Sequence, residues 1–265
     1  MPTADLSLRD EYAAAVERLA GRTLDALRGF EGALTSADPD TGRPLLAAAR
    51  VLGPDVLAPQ VLGAAETDEQ AVLLLTEAHQ AFPLAVFPPP ADPGSTGAAW
   101  SVDADQTADA VLIAAWRDWA TIVLLSRTPG ADTPFPEPAS SPAQGRGAPH
   151  PDHAPRPEPY AWQAWSVRMA QLSALALPGL DGPVHNAARE HTLDLSRGAV
   201  RSLLRCDYRV AARLTRWLAW LAADGRPLPL EVEPVLDRIR AVGDGNTRTT
   251  LELAIAGHLL NGAAE

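Results

Sequence analysis

Along most of this chain apolar residues recur every third or fourth position, the period of one helix face, and no stretch alternates apolar with polar as a half-buried strand requires. The densest stretch runs from Ser196 to Asp224. Val200, Leu203, Leu204, Val210, Leu214, Trp217, Leu218 and Leu221 share it with arginines at 197, 201, 205, 209, 213 and 216. A four-residue step advances about 40° around a helix, so the arginines are expected to form a slowly drifting stripe opposite an apolar face. Asp207 offers an N-cap at which the stretch divides, with a second helix from Tyr208. The remainder of the chain is expected to pack against this region.

The same period predicts a helix from Leu6 to about Phe30, interrupted near Gly21, and then a turn over Thr35–Pro44. Pro44 and Pro54 stand where a helix opens, ahead of Leu45–Leu52 and Asp55–Leu62. Thr67-Asp-Glu-Gln70 has the form of a capping box and predicts a helix from Asp68 to about Ala81. Further helices are expected from Asp103 or Asp105 to Arg127, over Tyr160–Leu177, over His185–Leu195, through Val232 to Ile239, and from Thr247 to Leu260. The prolines of Pro83–Val102 exclude both helix and central strand. Residues 129–159 are rich in Pro, Gly, Ala and Ser and too poor in apolar side chains to fill a core, which predicts a flexible linker or insert. The expected fold is all-α, an antiparallel helical bundle or an irregular helical-hairpin array with a long Pro-rich insert. Its N-terminal half is residues 1–128 and its C-terminal half 160–265, either as separate units or sharing one core.

Composition narrows the function classes. A chain of 265 residues can bury a core without disulfide or metal. Its 22 basic residues are all Arg, and against 33 acidic ones they leave a net charge of -11, which disfavours nucleic acid and anionic membrane as partners. The absence of Lys removes Schiff-base chemistry and the phosphate-loop lysine. Cys206, the single cysteine, can form neither an internal disulfide nor a cysteine metal site, which fits a reducing compartment. The N-terminus lacks a basic start followed by an apolar run, and no transmembrane segment is evident, so a cytoplasmic protein is expected. The histidines lack metal-ligand spacing, His150 and His153 fall in the Pro-rich segment, and neither metal nor cofactor is implied.

Two groups of residues are candidates for function. Six of the seven Trp residues form pairs three apart: Trp116 with Trp119, Trp162 with Trp165, and Trp217 with Trp220. Each pair lies on one helix face and can either wall an apolar pocket or serve as core. Arg168 shares an arc with Trp162 and Trp165, and its guanidinium needs either a ligand anion or an internal carboxylate. His79 and His258 fall on apolar faces, while His191, beside Glu190 and Asp194, could belong to an acid/base pair or to a polar helix edge. The second group is Arg197, Arg201, Arg205 and Arg209, which could meet an acidic partner or merely face water. The expectation is a non-catalytic helical binding or scaffold protein that acts on another protein. The alternative is an enzyme or binding protein for an apolar small molecule held between Trp-lined helices.

Overall fold

The computed structural model describes residues 3–30, 42–66, 68–87, 106–128, 149–155, 161–243 and 245–262, which are helical with no strand among them. The helices are α1 (Thr3–Leu27), α2 (Arg43–Leu52), α3 (Ala58–Val61), α4 (Glu69–Ala81), α5 (Gln106–Arg127), α6 (Trp162–Gln171), α7 (Pro183–Glu190), α8 (Thr192–Leu204), α9 (Tyr208–Ala223), α10 (Val232–Val242) and α11 (Thr247–Gly262). Turns of 3₁₀ helix over Gly53–Leu57, Pro151–His153 and Ser173–Leu175 join some of them. The protein is an all-α array, as its hydrophobic period requires.

Local sequence explains most boundaries. The Asp68 carboxylate accepts from Gln70 N–H at 2.8 Å and starts α4. Asp207 does the same for α9, accepting from Val210 N–H at 3.2 Å. Before it, Cys206 takes a left-handed conformation (φ 57°) that turns the chain back after α8. Other elements differ from expectation. Gly21 does not interrupt α1, and it sits against Thr247 at the start of α11. Pro54 and Pro59, each without an N–H, break the segment after α2 into a 3₁₀ turn and the short α3. The helix expected to reach Leu177 ends at Gln171. This releases the carbonyls of Ala174, Leu175 and Ala176 to accept from buried side chains. The helix expected over His185–Leu195 is broken at His191, so α8 begins at Thr192.

Packing centres on α9, which contacts α6, α8, α10 and α11 and is buried from Leu214 through Leu221. Buried apolar residues form one cluster that runs from Ala15 of α1 to Leu259 of α11. Gly198 allows the closest helix approach: a Cβ there would lie 2.6 Å from Ser166 Cβ and 3.0 Å from Leu214 Cδ1, so α6, α8 and α9 meet at a point only glycine fits.

The segment 129–159 reads by composition as excluded from the core, and for residues 149–155 this does not hold. His153 and Ala154 are buried, and His153 stacks on Phe87 with ring centroids 5.0 Å apart. Backbone, not apolar bulk, ties this piece down: Trp116 Nε1 donates to His153 O at 3.0 Å and Trp165 Nε1 to Pro155 O at 2.8 Å. The rest of that segment, like residues 31–41 and 88–105, lies outside the described residues.

His185, on α7, gives the fold a pH dependence. Its Nε2 donates to Leu175 O at 2.9 Å, Nδ1 is buried without a partner, and the ring packs against Trp217 and Trp220. Burial lowers its pKa from 6.5 to about 4. Between those values the folded chain binds fewer protons than the unfolded one. The stabilisation is therefore complete above pH 6.5 and is lost as pH falls towards 4, by about 3 kcal/mol in all. Urea denaturation at pH 7 and pH 4.5 should show a steeper loss for wild type than for His185→Gln. Parallel losses would assign the acid sensitivity to other groups.

Candidate functional site

The middle of the molecule is charged. Arg216 is the one charged residue of α9 between Leu214 and Leu221, and it is 0% exposed. Its Nη2 lies 2.7 Å from Asp55 Oδ1, and its Nη1 donates to Glu252 Oε2 at 3.0 Å. Nε and Nη2 donate to the released carbonyls of Ala176 and Ala174 at 3.2 and 3.3 Å. Ser173 Oγ donates to Glu252 Oε1 at 2.8 Å, and Arg213 Nε lies 3.4 Å from the same oxygen. Burial works against the charge of Glu252, but Arg216 and Arg213 outweigh it and hold the carboxyl below its usual range. At Asp55 burial prevails over Arg216, the Glu252 charge adds to it, and the carboxyl is raised.

More arginines gather here than carboxylates. Arg213 and Arg216 both face Glu252, while Arg248, one turn earlier on α11, feels the charges of Arg213 and Arg209. The two helices run in the same direction, since Arg213 and Arg216 of α9 meet Glu252 of α11 and, further along both, Ala222 and Leu260 line one cleft. Among the described residues, half-buried Arg248 has no hydrogen-bonded or ion-paired side-chain partner. Arg117 on α5 donates from Nη2 to Gln171 O at 3.0 Å, but its Nε is buried with no acceptor. Burial first, and then the neighbouring charge of Arg213, lowers the pKa of both Arg117 and Arg248.

A second buried node is complete. Asp118 accepts from Arg50 Nε and Nη2 at 2.7 and 2.6 Å and from Ala85 N–H at 2.8 Å, with His79 Nε2 at 3.6 Å. Burial opposes its charge, yet the bonds from His79, Ala85 and Arg50 prevail and lower its pKa. Arg50 also donates to Phe82 O and Pro83 O, clamping the end of α4 onto α2 and α5. A cleft of about 320 Å³ lined in part by Arg50, Phe82, Arg117 and Asp118 opens beside it.

The Trp pairs are divided among separate contacts. Trp116 meets Trp119 and Phe87 edge to face, Trp165 meets His191, and Trp217 meets Trp220 and His185. Trp116, Trp165 and Trp217 each donate their indole N–H to a backbone carbonyl, the last to Met169 O at 2.8 Å. Trp162 is half-buried, with Arg201 6.0 Å above its ring. Arg168 donates to Asp109 Oδ2 from Nε and Nη2 at 3.1 and 3.0 Å, so its partner includes an internal carboxylate. His79 Nδ1 bonds Leu75 O at 2.7 Å, His258 Nε2 bonds Leu27 O at 3.0 Å, and His191 Nδ1 lies 3.8 Å from Asp194 Oδ2. No group of three or more His, Cys, Asp or Glu among the described residues could hold a metal ion.

The arginine stripe is cut by the turn at Cys206. Arg197 and Arg201 lie on α8, Arg205 is its C-cap, and Arg209 belongs to the first turn of α9; all four are exposed. Arg216, which the helical period places on the stripe, is instead wholly inside, because the far side of α9 carries Ala212, Ala219 and Trp220 and is covered. The outer face of α8 is unusual in another way. Leu193, Val200 and Leu204 are 50%, 43% and 81% exposed and fall within about 40° of arc, with Arg197 and Arg201 beside them.

Sequence periodicity missed Arg216, Glu252, Asp55, Arg117 and Arg248. The usable signal was a lone charge in an apolar helix. Arg216 stands alone in Leu214–Ala223 and Glu252 alone in Leu251–Gly257, and each needs a buried partner of opposite sign. Comparison with protein families, curated proteins and solved structures returned no match.

Proposed function

We propose that this chain is a cytoplasmic, non-catalytic helical binding protein that docks a partner protein on the outer face of α8. The observation that supports it most is Leu204, 81% exposed and in line with Leu193 and Val200 on a helix whose opposite side is firmly packed. Apolar side chains left in water beside Arg197, Arg201 and Arg205 suit an acidic segment that inserts apolar anchors between the guanidinium groups. With a chain charge of -11 this attraction acts locally, within a screening length of about 8–10 Å. A second copy is a poorer occupant, since a twofold contact here would set Arg197 and Arg201 against their own counterparts. The alternative reading, an apolar small molecule between the Trp pairs, has less support because the ring contacts described are already occupied by neighbours.

A photo-crosslinking residue in place of Leu204 tests the surface in host cells. The expected product is a crosslink to an acidic peptide with apolar residues, lost in the Val200→Glu variant and weakened by salt. A basic peptide, or a crosslink indifferent to Val200→Glu while circular dichroism shows the fold intact, would overturn the assignment. Crosslinked homodimer would transfer the face to self-association.

A further inference from the structure

Beyond the α8 surface, we propose that the cleft beside the Arg50–Asp118 node, between α2, α5 and the end of α4, binds a small organic monocarboxylate with an apolar body, and that Arg117 is its charge partner. The cleft holds about 320 Å³, enough for a ligand of one ring or a short branched chain. Val51, Phe82, Pro83 and Ala114 give it apolar walls, and its charged lining is Arg50, Asp118 and Arg117. Arg50 and Asp118 cancel: Arg50 Nε and Nη2 hold the carboxylate at 2.7 and 2.6 Å, while Nη1 and Nη2 also donate to Phe82 O and Pro83 O. Arg117 is left over. Among the described residues no carboxylate lies within ion-pair distance of it; Nη2 donates to Gln171 O at 3.0 Å, and Nε is buried without an acceptor. Asp55 and Glu252 favour its charge from further off, and Arg213 and Arg248 oppose it.

The lining favours a single negative charge on an apolar body. A guanidinium taken from water without a counter-ion is costly, and one carboxylate supplies both the charge and the missing acceptor. A dianion such as phosphate would give up hydration that these walls cannot replace. Planar carboxylates also match the guanidinium fork, which a Gln in its place could not reproduce. The ligand's apolar part would cover Phe82 and the exposed side chains of Val51 and Pro83. Arg43, on the same face of α2 as Ala47 and Val51, holds its guanidinium 5.7 Å from the centre of the Phe82 ring and adds positive charge nearby. No residue of α8 lines the cleft, so the two surfaces are separate.

Titration calorimetry on the full chain at constant ionic strength would use benzoate and phenylpropionate, with benzamide as the uncharged control. Wild type and Arg201→Gln, an exposed arginine of α8, should bind at least one of the acids saturably and at least about tenfold more tightly than the amide. Arg117→Gln should lose at least about tenfold in affinity for the acid. Val51→Glu, at a wall position that is 39% exposed, sets a carboxylate of the protein's own in the cleft and should abolish binding of the acid. Circular dichroism checks each fold, and if Arg117→Gln does not fold, Val51→Glu decides. The proposal fails if wild type binds neither acid, if it binds the acids no more tightly than the amide, or if either variant, folded, binds as wild type does.

Discussion

Arg216→Met will cost about 3–5 kcal/mol of folding stability, the range for a buried ion pair that loses one partner. The substitution preserves bulk and helix propensity, so the loss reports charge. Asp55 and Glu252 would remain inside the protein facing each other without the guanidinium that now lies 2.7 and 3.0 Å from them. The carbonyls of Ala174 and Ala176 would lose their donors as well. Arg216→Met combined with Asp55→Asn and Glu252→Gln should recover much of the deficit, because the buried charges then leave together. Denaturant midpoints of the single and triple variants make the comparison. A single variant within about 1 kcal/mol of wild type would mean that water reaches the cluster.

Trp217→Ala should be comparably severe, about 3–5 kcal/mol, through the cavity left by a fully buried indole and the lost bond to Met169 O. Trp162→Ala should cost much less, because that ring is half-exposed. The contrast separates two members of one sequence pattern. Similar losses in chemical denaturation would show that the pairs share a role after all.

How much of this was legible in the sequence depends on the range of the interaction responsible. Period and caps are local, so the all-α class, the Asp207 cap, α9, α10 and α11 could be read directly, whereas the cap of α4 proved to be Asp68 and the helices around α6, α7 and α8 have other bounds than the period suggests. Arg216 could not be placed by period, since that depends on whether the far side of α9 is covered, and the covering residues Asp55 and Glu252 lie on distant elements. Residues 149–155 escaped for a related reason: they are held by indole N–H bonds to backbone carbonyls, which any residue type offers. For the candidate sites, sequence named the arginines of α8 but not the apolar residues exposed beside them, because Leu204 and Val200 looked like core.

The Asp55–Arg216–Glu252 contact also bears on how the chain is made. Synthesis proceeds from the N-terminus, so Asp55 leaves the ribosome long before Arg216, and Glu252 follows later still. Until then Leu57, Leu75 and Trp116 have no complete core to enter, and Asp55 has no cation to receive it. Until Glu252 has been made, Arg216 and Asp55 lack the group that completes their buried contact, so the final packing of α9 waits on α11. Loss of α11 would on this account leave Arg216 facing Asp55 alone and strip the cover from one side of α9.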